Sequence, residues 1–160
     1  MKKRVLLFFC VVNIFINGCS FKNGFFSQDL IKESLFTNTK KLPISQNSTI
    51  LVSYLNNSLK AYQNDKENFL INLYIDNSYE ENETKNIFDP FVDISIDPDI
   101  KPIRVIKLSK DHNLTKISPM QSRWSKYYLV EFNKTITNKI ELIFKIENSS
   151  FYRLIFLKDQ

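Results

Sequence analysis

Glycine is almost missing from this chain: of 160 residues only Gly18 and Gly24 are glycine. A phosphate-cradling loop needs glycines so that backbone N–H groups can approach the ligand. A nucleophile elbow needs them around its strained serine. P-loop, dinucleotide-binding and hydrolase-elbow chemistry are therefore excluded. Long apolar runs are missing too. The longest, Val5 to Ile16, would rise only about 18 Å as a helix, well short of a hydrocarbon core of about 30 Å. It is too short for a permanent membrane span. Histidine occurs once, as His112, tryptophan once, as Trp124, and cysteine twice, as Cys10 and Cys19.

What is present at the N-terminus is patterned. Lys2, Lys3 and Arg4 precede the apolar run, which ends in Ile16-Asn17-Gly18-Cys19-Ser20. A basic start, a short apolar stretch and a small residue before a cleavage point make an export signal. The segment Ile16-Asn17-Gly18-Cys19 resembles a bacterial lipobox, matching at Ile16, at the small Gly18 and at Cys19, with Asn17 where Ala or Ser is usual. The resemblance implies a signal peptide of residues 1–18 and a mature lipoprotein beginning at Cys19. That residue would carry acyl chains, palmitate among them, inserted in a leaflet. Each buried CH₂ contributes about 0.8 kcal/mol, so several chains hold firmly where one does not. Ser20 resembles the residue choice that permits transfer to the outer membrane. The alternative is an ordinary secretory signal with an incidental cysteine.

Removing residues 1–18 takes away three of the 22 basic residues and none of the 17 acidic ones, leaving 19 against 17 and a net charge of +2. The basic character belongs partly to the signal, and a nucleic-acid partner, which needs a clustered basic face, is not expected. About 140 mature residues make one domain with its own core. With Cys10 removed and Cys19 lipidated, no intramolecular disulfide is available even in an oxidising compartment. Asn, Lys, Ile and Phe abundance reads as codon bias in an AT-rich genome, so the many asparagines carry little functional weight.

Residues 19–47 read as a lipid-anchored tether. Phe25, Phe26, Leu30, Ile31, Leu35 and Phe36 have partial helical spacing, with Ser27 as a cap. This apolar patch docks on its own domain or forms a membrane-proximal or partner-contacting helix. Thr37 to Ser48, with Pro43, reads as linker. A domain follows over residues 48–160. In it, Thr49 to Leu55 is favoured as a strand over a helix through Tyr62, because it is rich in β-branched residues. Alternation then dominates. Phe69, Ile71, Leu73 and Ile75 share one face, as do Val92, Ile94 and Ile96. Arg104 lies in a run from Ile103 to Leu108, and further runs cover Tyr127 to Phe132, Lys139 to Ile146 and Phe151 to Leu157. A period of two is the mark of half-buried strands. Asp97-Pro98-Asp99, Asp111-His112-Asn113, Thr137-Asn138-Lys139 and Asn148-Ser149-Ser150 separate these runs, and Asn and Asp tolerate the left-handed backbone that absent glycines would otherwise take. The expected fold is all-β and mainly antiparallel: a single β-sandwich of six or seven strands. Residues 77–86, with Glu80, Glu81 and Glu83, read as a long acidic loop.

No constellation of residues argues for catalysis. Asp89, Asp93, Asp97 and Asp99 form the densest carboxylate group. Calcium needs six to eight oxygens from a folded-back loop, usually with glycine at its bend; here two of the four lie on a strand pattern, and a solvated strand face is the simpler reading. Paired carboxylates could also serve a glycosidase, but their separation is not legible in a sequence. A single His112 with no free cysteine cannot build the usual zinc set, and the residue reads as an exposed turn. No cofactor, metal or enzymatic activity is expected. Arg123, Trp124, Lys126, Tyr127 and Tyr128 mix cationic and aromatic groups before a strand. Such a cluster is either a core tryptophan at a strand entrance or an interface anchor, and Arg123, Trp124, Tyr127 and Tyr128 are the candidate partner-binding residues.

One arrangement resembles the TssJ-type lipoproteins of type VI secretion systems: the lipobox, a first strand Thr49 to Tyr54 followed by Leu55-Asn56, and a second strand ending in Leu73-Tyr74. The Gly-Arg-Pro run of that family has no counterpart here. The resemblance implies an outer-membrane lipoprotein whose periplasmic sandwich holds an inner-membrane partner. The expectation is a lipid-anchored envelope protein acting as a non-enzymatic binding or assembly module, on the periplasmic side of the outer membrane, with an envelope protein as partner. A module binding a small ligand or glycan between its sheets is the alternative.

Overall fold

A computed structural model describes residues 23–45, 48–75, 92–97, 99–146 and 150–159. The chain divides into two units, Met1–Leu30 and Ile31–Gln160. Of the first, only the opening of helix α1 (Asn23–Thr37) is described. Ser27 lies inside that helix rather than at its cap. No helix among the described residues is long and apolar enough to cross a membrane.

The second unit is an antiparallel sandwich of eight strands. They are β1 (Thr39–Ser45), β2 (Ser48–Tyr54), β3 (Lys66–Ile75), β4 (Val92–Ile96), β5 (Arg104–Leu108), β6 (Ser125–Asn133), β7 (Lys139–Ile146) and β8 (Ser150–Leu157). One sheet runs β1-β2-β3-β6-β5 and the other β4-β7-β8, every neighbour antiparallel. Seven strands coincide with the runs read from alternation. The eighth is a correction: Thr39–Ser45, read as linker, pairs with β2 from Thr39↔Ser53 to Ser45↔Ser48. Pro43 hides it in the sequence. Proline cannot donate to a ladder, but β1 is the edge of its sheet, where proline is tolerated, and the register shifts just beside it. The folded unit therefore begins well before residue 48: it runs from Ile31, with β1 paired from Thr39. Strand β2 stops at Tyr54, and the ambiguous stretch beyond it becomes a short helix α2 (Leu55–Ser58) and a 3₁₀ turn (Lys60–Tyr62).

Between the sheets lies the main core. Phe69, Ile71 and Leu73 of β3 meet Ile140, Leu142 and Phe144 of β7 and Ile94 and Ile96 of β4, all buried. The ring of Phe69 stands 5.1 Å from Tyr54, 5.4 Å from Phe156 and 5.9 Å from Phe132, so aromatic side chains fill the space between the layers. Such tilted and edge-on pairs add about 0.5–1.5 kcal/mol each beyond area burial.

A second core covers the opposite face of the five-stranded sheet. Leu70, Leu108, Tyr127 and Leu129 pack there under Leu35 of α1, Leu55 of α2 and Leu114 of helix α3 (Asn113–Ile117). Both faces of β3 and β6 are thus buried, and the unit has three layers: helices, five-stranded sheet, three-stranded sheet. Asparagine does structural work here. The side-chain Oδ1 of Asn56 accepts from the backbone N–H of Asn68 at 2.8 Å, while Asn68 Nδ2 donates to Asn64 Oδ1 at 3.0 Å and to the Tyr62 carbonyl. This knot fastens the β2–β3 connection to the buried sheet. Asp97, in the turn after β4, has φ 47°, the left-handed conformation assigned above to Asn and Asp in place of glycine.

Candidate functional site

Sheet geometry separates two exposed regions on opposite sides of the domain. The first is the outer face of the three-stranded sheet. Its edge strand β8 points Leu154 and Phe156 into the core and sends Phe151, Arg153, Ile155 and Leu157 outward. Phe151 is 62% exposed and Leu157 69%, and Ile155 is also exposed. Register sets these beside Lys145, Ile143, Glu141 and Lys139 of β7. Arg153 reaches Glu141 at 3.2 Å, and the Lys145 ammonium stands 5.7 Å from the Phe151 ring. The row is therefore apolar with charges interleaved, on a sheet that no helix of the described residues covers. An open, partly apolar edge strand is where another chain can pair or pack.

The second region is the loop cluster on the helical side. Arg123 is exposed and stacks its guanidinium 3.9 Å from the centroid of Trp124, which is half-buried. Lys110 donates from Nζ to the Arg123 carbonyl at 2.9 Å. Beside them, Lys32, Glu33 and Phe36 of α1 and Ile117, Pro119 and Gln121 border an open groove of about 490 Å³. The loop is held from below: Asn72 Nδ2 donates to the Met120 carbonyl at 2.7 Å, and Tyr127 Oη to the same oxygen at 3.2 Å.

Two of the four partner-binding candidates are corrected here. Tyr127 and Tyr128 are each only 2% exposed, on opposite faces of β6 and in different cores. Alternation sends neighbours in a strand to opposite faces, and both faces of this sheet are covered. Only Arg123 and Trp124 reach a surface. Cys19, Asp89 and the acidic loop with Glu80, Glu81 and Glu83 lie outside the described residues. Asp93 pairs with Lys101 at 2.7 Å, and Asp97 occupies its turn. Among the described residues, no three His, Cys, Asp or Glu side chains come together as a metal site. His112 is an exposed N-cap: its Nδ1 accepts from the Leu114 N–H at 3.2 Å.

One charged group escaped the sequence reading. Glu67 is fully buried, on the core side of β3 two residues before Phe69. Its carboxylate meets the Lys158 ammonium at 2.6 Å, accepts from Tyr54 Oη at 2.6 Å and accepts from the Thr135 N–H at 2.9 Å. Lys158 also donates to the Thr135 carbonyl and hydroxyl. Burial pushes the Glu67 carboxyl up, but the hydrogen bonds from Lys158, Tyr54 and Thr135 outweigh it and hold the group below its ordinary value. Burial, with the carboxylate opposite, pushes the Tyr54 hydroxyl well up. The signal was available: a glutamate at the inward parity of an apolar strand. This cluster joins β2 and β3 of one sheet to the end of β8 in the other. Comparison of the chain with known family models, curated proteins and solved structures finds no match.

Proposed function

We propose that this chain is a lipid-anchored envelope protein, held at the periplasmic face of the outer membrane by acyl chains on Cys19. Its sandwich is a non-enzymatic binding and assembly module. The observation that carries the reading is the asymmetry of the sandwich. The five-stranded sheet is covered on both faces, whereas the three-stranded sheet leaves Phe151, Ile155 and Leu157 of an edge strand in solvent. That face is the partner surface, and the partner is another envelope protein. Packing also favours a partner over a ligand between the sheets, since Tyr54, Phe69, Phe132 and Phe156 occupy that space. The buried and paired ionisable groups serve as caps and staples, which suits a module without catalysis.

A role like that of the TssJ-type lipoproteins is a special case of this function. It is favoured by the order of β2, Leu55-Asn56 and β3, which pair antiparallel from Ser48↔Ile75 to Tyr54↔Phe69. Two experiments test the proposal. Cys19→Ser abolishes metabolic lipid labelling and leaves the precursor uncleaved; label that persists removes the anchor. A photo-crosslinker placed in intact cells at Ile155 or Leu157 captures one envelope protein, the same from both positions, and does not capture it from Lys60 on the opposite side. Recovery of uncrosslinked monomer from both sites, or turnover of a substrate by the purified protein, refutes the module.

A further inference from the structure

We infer that the helical side of the domain, centred on Arg123 and Trp124, lies against the anionic phospholipid headgroups of the membrane that holds the anchor. The inference rests on the anchor reading above and adds an orientation to it. Charge is the first argument. Residues 101–126 contain seven Lys or Arg and a single acidic residue, Asp111, in a mature chain of net charge only +2. Lys101 is neutralised by Asp93, so the excess lies toward Lys110, Lys116 and Arg123, all exposed. Glu33, beside Lys32 on α1, and Asp111 are exposed acidic groups on this side that reduce the excess without cancelling it, while Glu131, on the same face of β6 as Leu129, is paired with Lys66.

The second argument is the kind of apolar group present. Trp124 is half-buried beneath the Arg123 guanidinium, and Phe36 is 70% exposed on α1. Aromatic rings with cations around them suit the headgroup level, where a ring has an apolar body to bury and the cation a phosphate to meet. Chain length is the third argument. Helix α1 starts four residues after Cys19 and enters the domain at Ile31. At most about 26 Å of chain separates the two, counting four residues at up to 3.5 Å and eight helical ones at 1.5 Å. Cationic side chains near an anionic surface are drawn to it over about one Debye length. The partner face on the three-stranded sheet, across the sandwich, is then turned away from the bilayer and open.

Trp124 is the sole tryptophan, so it reports on its own environment. The lipidated protein is reconstituted into vesicles of phosphatidylcholine alone or with one quarter phosphatidylglycerol. In the anionic vesicles Trp124 emission shifts to the blue and acrylamide quenching falls about twofold, both reversing near 1 M salt, where the Debye length is about 3 Å. The Lys110→Glu/Arg123→Glu variant loses the difference and still co-floats with both vesicles. Equal quenching in the two vesicle types, or shielding unchanged by the double variant, overturns the inference. Shielding that comes only with a protein partner overturns it as well and assigns this side to that partner. Failure of the anchor is read separately, as loss of co-flotation with neutral vesicles.

Discussion

Removing the Glu67 carboxylate should be among the most damaging single changes to this fold. Glu67→Ala leaves three donors without their acceptor: the Lys158 ammonium, the Tyr54 hydroxyl and the Thr135 N–H. Breaking one partner of a buried ion pair costs about 3–5 kcal/mol, because the other charge stays behind uncompensated. The Lys158 side chain is 15% exposed, so water reaches it and the lower end applies, about 3 kcal/mol. Against a total stability of about 5–15 kcal/mol, this is a large share. Lys158→Met should cost a similar amount, since it strands the carboxylate of a fully buried residue. The double variant Glu67→Leu/Lys158→Met should cost clearly less than the sum of the singles, because no unpaired charge remains. Glu67→Gln, which keeps an acceptor for Tyr54, should be the mildest. Urea unfolding followed by Trp124 fluorescence and far-ultraviolet circular dichroism measures these differences as midpoint shifts at constant slope. The control is Arg153→Ala, which breaks an ion pair on the surface and should cost at most about 1 kcal/mol. If Glu67→Ala costs no more than Arg153→Ala, the buried cluster is not a staple and the reasoning fails.

The remaining predictions follow from the same structure. Glu67 is held below its ordinary value of 4.5 in the fold, so its stabilisation is complete above that pH and is lost as pH falls further; an acid titration of stability should be shallower in Glu67→Gln. Tyr54 is shifted up from 10.0, so its contribution is complete below pH 10 and fades as pH rises beyond, and Tyr54→Phe should flatten that alkaline arm. Phe69→Ala, in the aromatic centre, should cost about 3–5 kcal/mol, whereas Phe151→Ala on the open face should leave the urea midpoint within about 0.5 kcal/mol while weakening the cellular crosslink at Ile155. Asp97→Gly should hold or raise the stability read from urea midpoints and Asp97→Val should lower it by about 1–2 kcal/mol, the left-handed backbone cost; equal effects would contradict the positive φ.

Why some features were legible is a matter of range. Alternation in Val92–Ile96 and Lys139–Ile146 is a contact-free property of neighbouring residues, and it located these strands to the residue. In β1 the same signal was broken by Pro43, whose missing donor matters only if the strand has neighbours on both sides. Whether it does is a question of sheet order, which no local pattern carries. Leu70, Asn68 and Asn72 were likewise unreadable as buried, because the helices that cover their face come from distant parts of the chain. Tyr127 and Tyr128 looked like an interface for the same reason.

The amino-acid order by itself determined an all-β, antiparallel chain, because side chains two apart share a face wherever they sit. Only the tertiary structure decided which faces stay open. It placed helices over the five-stranded sheet, left Phe151, Ile155 and Leu157 uncovered, and brought Glu67 to Lys158 across 91 residues of chain. Burial and ion pairing depend on which surfaces meet, and that is settled by packing between elements rather than within them.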